Sequence, residues 1–423
     1  MTGIIKTAAV FIIFLIISCT TTGKLQNMHE DLTTIDDFFM DRGFPLYEST
    51  LPEMYYTGVE WRERAIELVQ EAEDYILISV FLGNYHDSTS SLWELLPRKI
   101  EEGVRVYCII DAASWFQVVP GTSEVVPAAF KYLRDAGVPV VEYNPFSISN
   151  LFFTPLQLDR DHRKFWVIDG KYLAAGGMNI NLTSYGYPPE TGNIDAMAEV
   201  ISPGSTRQVV KSFVDTWNAY SPEKLNADDF NIVPDIPENR ETTDLWLLDH
   251  LWRGSCQVTD MFDAFVVSAE EELWFIQGYS FLNPALIRRI SFAAERGVSV
   301  NFVISDYART GNYKRATHYG LLDLIDAGAD VYLYTSPIGA FLHYKLIMAD
   351  RKTAAVGSVN YNLRSQTLSR EISFIFRDYR VGEDIAEHIK KLEKNMRKIT
   401  REEAEEHRTL KNYLSHLFMQ FWG

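Results

Sequence analysis

The sequence has few cysteines and a shortage of positive charge. Three cysteines in 423 residues cannot build a disulfide framework, which excludes the small secreted scaffolds that rely on one. The 40 Lys and Arg residues are outnumbered by 57 Asp and Glu residues, and the net charge is −17. A surface that follows a polyanion needs a basic stripe, so we expect no nucleic-acid partner. The 47% hydrophobic content excludes disorder, and the length predicts two or three domains.

Long apolar runs are also scarce, and the clearest one covers residues 8–17. Ten helical residues span about 15 Å, half of the hydrocarbon core of a bilayer, so this run is short for a membrane crossing. Residues 1–18 have the proportions of a secretory signal peptide. The run ends in Ile-Ile-Ser-Cys, which resembles the bacterial lipoprotein signal, where cleavage leaves a lipidated cysteine, here Cys19.

This resemblance predicts a location. We expect a protein anchored to a membrane of the bacterial cell envelope, on its non-cytoplasmic side, with residues 19–50 as a tether. A short uncleaved anchor is the alternative. If Cys19 is lipidated, Cys108 and Cys256 remain, and we expect both to be buried thiols rather than a disulfide pair.

The chain contains an internal repeat. A helix end that runs into an apolar strand occurs at residues 72–82 and again at 269–279. In the further repeats a helix stops at Gly and a β-branched strand follows. This pattern predicts two α/β units with mixed or parallel sheets. The further repeats pair residues 101–111 with 295–306, and 132–138 with 324–329.

The repeat and the composition together divide the chain. A proline-containing acidic stretch between the repeats is typical of a linker. The predicted organisation is a signal peptide 1–18, a tether 19–50, a first half 51–220, a linker 221–245, a second half 246–380 and C-terminal helices 381–423.

The last helix carries an apolar stripe at three- and four-residue spacing. We expect this stripe to pack on the second half, and contact with a membrane surface is the alternative. The stripe consists of Leu410, Leu414, Leu417, Phe418, Phe421 and Trp422.

Each half also contains one His-x-Lys-x4-Asp motif. On an extended strand, residues i and i+2 point to the same side, so the histidine and the lysine of each motif face one pocket. The four residues before each aspartate are apolar and indicate a buried strand. The two copies are His162, Lys164 and Asp169 in the first half, and His343, Lys345 and Asp350 in the second.

Both motifs are followed by Gly and Asn at identical offsets. Gly176 and Gly357 lie fourteen residues after their histidines, and Asn179 and Asn360 lie seventeen residues after them. A single His near a strand is usually structural. Two copies with matching context in a duplicated chain indicate chemistry, because a motif match counts when its predicted context also appears.

These residues resemble the phospholipase D superfamily, and specifically its bacterial cardiolipin synthase branch. The resemblance extends from about residue 55 to the C-terminal helix, and two features depart from it. The family's Trp-Arg-Asp-Thr-His segment appears as Asn-Ile-Asp-Ala-Met at 193–197, and the lipoprotein-like signal replaces its N-terminal transmembrane helices. The similar segments are 162–164, 168–171 and 176–180 in the first half, and 277–284, 357–360 and 362–365 in the second.

The resemblance implies a fold and a reaction. Two duplicated phospholipase-D-like α-β-α halves would pack with pseudo-twofold symmetry around one shared active site. One histidine would attack phosphorus to form a phosphohistidine while the other protonates the leaving alcohol, and the second histidine would then act as base for water or an acceptor alcohol. We expect neither a cofactor nor a metal, because the sequence offers no ligand cluster.

The chemistry also assigns roles to other residues. A phosphodiester is anionic, so Lys164 and Lys345 supply fixed cations, and Asn179 and Asn360 can donate hydrogen bonds to phosphate oxygens. On family precedent we assign the nucleophile to His162.

The resemblance further implies that Asp195 and Glu371, one after each motif, are the carboxylates that hold the far ring nitrogens of the histidines. A surface loop residue and a strand-edge charge are the respective alternatives. Asp169 and Asp350 complete the set of candidate catalytic residues. For these two we favour a structural role in holding loops over direct catalysis, because each ends a buried strand.

The expected function is that of a phospholipase D-type phosphatidyltransferase that forms cardiolipin and glycerol from two phosphatidylglycerols. A hydrolytic phospholipase D, a nuclease and a catalytically dead lipid-binding scaffold are the alternatives. The expected partners are a phospholipid substrate and a membrane surface, and the oligomeric state is left open. We expect His162 and His343 to lie within about 7 Å of each other, the distance that one phosphate bridges.

Overall fold

The computed structural model describes residues 34–119, 122–146, 159–186, 192–251, 256–307 and 311–422. The predicted signal peptide 1–18 and Cys19 lie outside these residues. In the part of the chain that is described, none of the helices combines the length and the apolar character needed to cross a bilayer.

The first half is built on a seven-stranded sheet. Its strands are β2 (Glu53–Thr57), β3 (Tyr75–Val80), β4 (Arg105–Asp111), β5 (Val140–Tyr143), β7 (Phe165–Ile168), β8 (Tyr172–Gly176) and β9 (Ile194–Val200). The spatial order is β2-β9-β8-β7-β3-β4-β5. β3, β4 and β5 run parallel, and the other neighbours pair antiparallel.

The second half repeats this arrangement in a ten-stranded sheet. Its strands are β1 (Leu46–Thr50), β6 (Arg160–Asp161), β10 (Thr242–His250), β11 (Glu272–Gln277), β12 (Ser299–Ser305), β13 (Asp330–Tyr334), β14 (Lys345–Ala349), β15 (Thr353–Gly357), β16 (Ser369–Arg377) and β17 (Met396–Lys398). The order β10-β16-β15-β14-β11-β12-β13 matches the first sheet, with β1 and β17 added at the edges and β6 paired to β16. The duplication predicted from the sequence is confirmed.

Helices connect the strands, and glycines end several of them. Gly103, Gly137, Gly297 and Gly328 follow helices with φ between 75° and 95°, the left-handed region that favours glycine, as the repeat predicts. Short 3-10 turns occupy Ala112–Phe116 and Ala227–Asp229. The helices are α1 (Ile35–Asp41), α2 (Gly58–Glu71), α3 (Asp87–Trp93), α4 (Leu95–Glu101), α5 (Phe130–Asp135), α6 (Leu182–Tyr185), α7 (Pro203–Tyr220), α8 (Gln257–Ser268), α9 (Pro284–Glu295), α10 (Gly311–Asp326), α11 (Leu363–Thr367), α12 (Tyr379–Glu393), α13 (Arg401–Glu406) and α14 (Leu410–Trp422).

Three large apolar cores hold these layers together. Two of them lie between one sheet and its own helices. The third joins the two sheets, with Leu77 and Phe165 of the first half packed in the same cluster as Leu346 and Phe374 of the second. Burial of apolar surface therefore stabilises the contact between the halves as well as each half.

The N-terminal residues contribute more than a tether. In the segment 19–50, α1 buries Phe38 and Phe39 in the outer core of the second half, and β1 pairs antiparallel with β10. The predicted linker 221–245 runs into β10, which begins at Thr242. The sheet of the second half thus includes β1, which precedes the first half in sequence, and β10, which follows it.

The C-terminal region is not continuous helix, because β17 interrupts it. Its last helix, α14, packs on α10 through His416 and Met419, and His416 bonds the carbonyl of Ala316. With His416 and Met419 facing α10, Leu410, Leu414 and Phe418 are exposed, so the expectation that the stripe packs on the second half is wrong for these residues. The side chains of Phe421 and Trp422 lie outside the described part of the structure. A membrane contact for them stays a prediction.

The two cysteines that the structure describes are both free thiols. Cys108 is buried in β4, as expected. Cys256 is exposed, and the expectation of a buried thiol is wrong there, because this residue stands just before the first turn of α8 instead of lying inside an apolar element.

Candidate active site

The motif histidines lie at the edge of the sheets where the parallel strands end. β7 runs antiparallel to β3 and pairs Phe165 with Ser79, so the residues just before β7 reach the carboxyl end of β3. At the end of β4, Asp111 accepts hydrogen bonds from the backbone of Asp161 (2.9 Å) and from Arg160 (3.0 Å). We call this side of the molecule the active-site edge.

Each histidine is attached to a strand of the other half. β6 pairs parallel with the start of β16, and the backbone N–H of His162 donates to the carbonyl of Arg370 at 3.0 Å. The next residue on that strand is Glu371, whose two carboxylate oxygens lie 3.0 and 3.1 Å from Nδ1 of His162. Backbone pairing between the halves therefore brings the carboxylate to the ring.

The second motif is held in the same way by the first half. The backbone N–H of His343 donates to the carbonyl of Ile194 at 2.7 Å. The next residue, Asp195, accepts from Nδ1 of His343 through Oδ2 at 2.6 Å. The structure thus brings both predicted carboxylates to histidines, and it crosses them: each histidine is paired with the carboxylate that follows the other motif.

The surroundings of the two carboxylates differ. Glu371 also accepts hydrogen bonds from the hydroxyl groups of Ser358 and Ser365, the latter at 2.7 Å. Asp195 packs against Gly177, where a Cβ would collide with its carboxylate, and it accepts from the backbone N–H of Ala196 at 2.9 Å. Both carboxylates are fully buried. Glu371 is thereby held by two serine hydroxyl groups, and the carboxylate of Asp195 fits closely against Gly177.

The charges of the site lower the pKa of Glu371. Burial by itself would raise the pKa of this carboxyl, but the electrostatic interaction with His162 and its hydrogen bond, together with Lys164 and Ser358, outweigh burial. Burial, strengthened by the charge of Lys164, lowers the pKa of His162 to about 4 despite the attraction of Glu371. The resting pair is therefore a neutral imidazole that donates Nδ1–H to an ionised Glu371.

The two motif lysines are buried beside their histidines. Nζ of Lys345 donates to the carbonyl of His343 at 2.6 Å, and Nζ of Lys164 donates to the carbonyl of His162. Lys164 also lies 5.2 Å from the centre of the Phe81 ring. Burial, with Lys345 as a neighbouring positive charge, lowers the pKa of Lys164 to about 7. An anion in the site would stabilise the charged form.

The predicted asparagines follow the strands that come after the motifs. Oδ1 of Asn179 accepts from the backbone N–H of Leu82 at 2.9 Å, which leaves Nδ2 as its donor end. Oδ1 of Asn360 is buried and accepts no hydrogen bond from the described residues. The backbone N–H of Asn360 donates to Oγ of Ser365 at 3.1 Å, which ties it to the residue that holds Glu371.

The motif aspartates lie at the far end of their strands. Asp169 accepts three backbone N–H bonds, at 2.8–2.9 Å, from Tyr75 at the start of β3 and from the two residues before it. Asp350 does the same at the start of β11, with identical oxygen assignments. Both have φ near 50°, in the left-handed region. These contacts support the favoured interpretation that the two aspartates hold loops together, and their place among the catalytic candidates stays a prediction.

Sequence reasoning missed the parts that tertiary structure supplies. Ser358 and Ser365 belong to the segments that resemble the family, and Ser358 stands between the matched Gly and Asn, but the sequence does not indicate that both bond Glu371. The ring of Phe81 packs edge-on against His162 with centroids 4.9 Å apart. The expected separation of about 7 Å between the two histidines stays a prediction. Among the described residues, no group of three His, Cys, Asp or Glu side chains is arranged to hold a metal ion.

Comparison with known proteins identifies the family. The family model described as the PLD-like domain of cardiolipin synthase matches residues 65–217 and 264–397, which is more than half of the chain and both motifs. The chain belongs to this family. The match confirms the predicted superfamily, the duplicated fold and the class of enzyme.

Curated relatives match most of the chain. Cardiolipin synthase 1 of Staphylococcus epidermidis is 24% identical over 379 residues, 86% of this chain and 70% of that protein. Cardiolipin synthase A of Pseudomonas putida is 26% identical over 345 residues, 79% and 67% of the two chains. The crystal structure of phosphatidylserine synthase from Haemophilus influenzae is similar with a TM-score of 0.70 at 12% identity, covering 92% of this chain and 96% of that one. At that identity, the structural likeness shows the fold alone.

Proposed function

We propose that this member of the family transfers a phosphatidyl group between membrane phospholipids, forming cardiolipin and glycerol from two phosphatidylglycerols. The observation that carries the proposal is the pair of crossed histidine–carboxylate contacts, His162 with Glu371 and His343 with Asp195. They supply two oriented imidazoles, and a two-step transfer needs both of them in one polar site.

In the first step, Nε2 of His162 attacks the phosphorus of the donor lipid. The bond from phosphorus to the glycerol headgroup oxygen breaks, and His343 gives that oxygen a proton. Glu371 holds Nδ1–H of His162 and stabilises the positive charge that develops on its ring. The two motif lysines and the asparagine amides balance the charge on the phosphate oxygens. The products of this step are glycerol and a phosphatidyl-histidine.

In the second step, a hydroxyl group of a second phosphatidylglycerol attacks the phosphatidyl-histidine. His343, now without its proton, takes the proton of that hydroxyl group, and the bond between phosphorus and Nε2 of His162 breaks. Cardiolipin leaves and His162 returns to its neutral state. Water in place of the second lipid would give phosphatidic acid by the same route.

The location remains part of the proposal. The Ile-Ile-Ser-Cys sequence that ends at Cys19 supports lipidation of this residue and an anchor on the non-cytoplasmic side of a bacterial envelope membrane. Mass spectrometry of the N-terminal peptide of the protein purified from membranes tests it. A diacylated Cys19 supports the proposal, and an unmodified chain that retains residues 1–18 contradicts it.

The function is tested with the full chain in phosphatidylglycerol vesicles, with products read by lipid mass spectrometry. We expect cardiolipin and glycerol in equal amounts, lost in both His162→Ala and His343→Ala. His407→Gln, a histidine in the turn after α13, is the matched control and should keep activity. Phosphatidic acid alone would make the protein a hydrolase, and absence of turnover in the parent chain would contradict the proposal.

The assignment of the nucleophile has its own readout. After an alkaline detergent quench during turnover, peptide mass spectrometry should find the phosphatidyl adduct on the peptide that contains His162. An adduct on the peptide that contains His343 would exchange the roles of the two histidines.

A further inference from the structure

A group of large apolar side chains lies exposed around the active-site edge. Phe116 is 64% exposed, Ile338 59% and Val125 58%. Exposed groups of this size that lie together usually mark a contact surface. We call the group the apolar rim, and it comprises Trp115, Phe116, Val118, Val125, Phe146 and Ile338.

The rim belongs to the loops that follow the strands of the site. Phe116 lies in the 3-10 turn that begins directly after Asp111, the residue that bonds the backbone of Asp161. The ring of Phe146 lies 4.5 Å below the guanidinium of Arg160, two residues before His162. These contacts place the first-half members of the rim beside the first motif.

The second half contributes at the equivalent position. Ile338 follows β13 and stands three residues before Phe341, whose ring centroid is 5.4 Å from that of His343. The backbone N–H of Ile194 donates to the carbonyl of Phe341 at 3.0 Å, next to the bond that holds His343. Both halves therefore place exposed apolar groups at the mouth of one site.

The rim is formed by contacts within the protein. The rings of Phe116 and Phe146 meet edge to face with centroids 4.8 Å apart. Val118 and Val125 form an antiparallel bridge. The turn at Ile338 is held by its backbone N–H, which donates to Oγ of Ser336 at 3.3 Å. The exposed side chains are thus presented by folded turns.

The same loops carry almost no charge. Residues 112–119, 122–127, 144–146 and 335–341 include one charged side chain, Glu124, although 23% of the chain is charged and its net charge is −17. Acidic groups at this edge would be repelled by an anionic lipid surface. Apolar loops with so little charge, on an acidic protein, match the hydrocarbon boundary of a bilayer.

We propose that the apolar rim seats the active site on a phospholipid bilayer. This inference rests on the proposed function, because a phosphatidyl donor keeps two acyl chains in the bilayer while its phosphate reaches the histidines. The side chains of the rim enter the bilayer at the boundary between headgroups and acyl chains, on both sides of the opening of the active site. The lipid then moves along its own long axis into the site. Another copy of this chain is the competing occupant.

A photo-crosslinking experiment on the full chain tests contact without turnover. Phe116→p-benzoylphenylalanine and Ile338→p-benzoylphenylalanine are compared with the same residue at Tyr379, in phosphatidylglycerol vesicles that contain a clickable lipid. Tyr379 is 68% exposed and follows the end of β16 remote from Glu371. The six residue steps from Glu371 to Arg377 along the strand amount to about 20 Å.

We expect lipid adducts at positions 116 and 338 and none above background at 379. Adducts with a second protein chain in place of lipid would overturn the proposal in favour of self-association. Equal labelling at all three positions, or none at 116 and 338, would also overturn it.

A kinetic comparison separates seating from chemistry. Phe116→Gln/Ile338→Gln should lower turnover of phosphatidylglycerol in vesicles by about tenfold or more, because returning one buried Phe or Ile side chain to water costs about one tenfold step. The same variant should keep its turnover of a short-chain phosphatidylglycerol below its critical micelle concentration. Tyr379→Gln is the matched control and should change neither rate.

Equal losses on both substrates would show that the variant damages the site and would contradict the seating role. If lipid adducts form at the rim but no cardiolipin is made, the proposed function fails and the surface contact stands. If cardiolipin is made and the rim variant behaves like Tyr379→Gln, the contact fails and the function stands.

Discussion

Replacement of Asp169 by Asn should lower stability and leave catalysis intact. Oδ1 of Asp169 accepts from the backbones of Asp74 and Tyr75, and Oδ2 accepts from Glu73. Asparagine keeps one acceptor oxygen and tolerates the φ of 52° at this position, so the change removes the charge and one bond without backbone strain. In place of Oδ2 it presents an amide N–H to the N–H of Glu73.

The expected loss follows from these contacts. A hydrogen bond to a charged group contributes about 1.5–3 kcal/mol, and the Glu73 amide is near solvent, so we expect a loss of about 2 kcal/mol. For a half of this size that corresponds to a fall of roughly 4–8 °C in the thermal midpoint. The equivalent change Asp350→Asn should have a similar effect, because its three bonds are the same.

The assay combines calorimetry of Asp169→Asn with turnover per folded molecule at a temperature well below its midpoint. We expect turnover within about twofold of the parent chain, because Asp169 lies at the far end of its strand from the histidine. A twofold change is well below the tenfold change in rate that about 1.4 kcal/mol of activation barrier represents. A fall of a hundredfold or more in fully folded protein, with an unchanged midpoint, would refute the structural interpretation and return the aspartate to the chemistry.

Further predictions concern charge. Burial lowers the pKa of Lys164 to about 7, so this side chain should lose its proton above that pH and kcat/KM should fall on the alkaline side of the pH profile. Lys164→Arg should move this alkaline limb to higher pH. An unchanged limb would exclude Lys164 as its source. Because His162 has a pKa lowered to about 4, the acid limb should lie near pH 4, and a limb near pH 6.5 would contradict the neutral resting state. Ser358→Ala removes a hydrogen-bond donor to Glu371, so we expect about a tenfold loss of kcat/KM and an acid limb of the pH profile moved to higher pH. A loss of thermal stability without these kinetic changes would show that Ser358 has a merely structural role. His250 is buried without a hydrogen-bond partner among the described residues, and burial lowers its pKa to about 4. Its stabilising contribution is present above pH 6.5 and is lost as pH falls toward 4, by up to about 3 kcal/mol, so His250→Leu should flatten the fall of the thermal midpoint over that range.

Much of the candidate site could be predicted because duplication repeats local signals. The repeated His-x-Lys spacing singled out His162 and Lys164, and the structure places Nζ of Lys164 against the carbonyl of His162. Glycines after helices predicted the ends of four helices, since only the left-handed backbone of glycine suits those positions. These features depend on a few neighbouring residues, and each occurs twice.

The surfaces could not be predicted in the same way. The apolar stripe of the last helix has the spacing of a packed face, but the face that packs carries His416, whose ring lies against the carbonyls of Ala316 and Leu282, and Leu410 and Leu414 are exposed. Cys256 similarly lies at a helix start and is exposed. Helical spacing indicates that residues share a face, and only the partner decides which face is covered.

The sequence by itself determined the two α/β halves, the two motifs and the identity of the residues that could carry a phosphate transfer, because these depend on local periodicity and on repetition. Only the tertiary structure decided that the pairs are crossed, with Glu371 holding His162 and Asp195 holding His343. Those contacts join residues 209 and 148 positions apart, through backbone pairing between strands of different halves. No spacing along the chain encodes such a pairing, which exists only when the shared apolar core has brought the two sheets together.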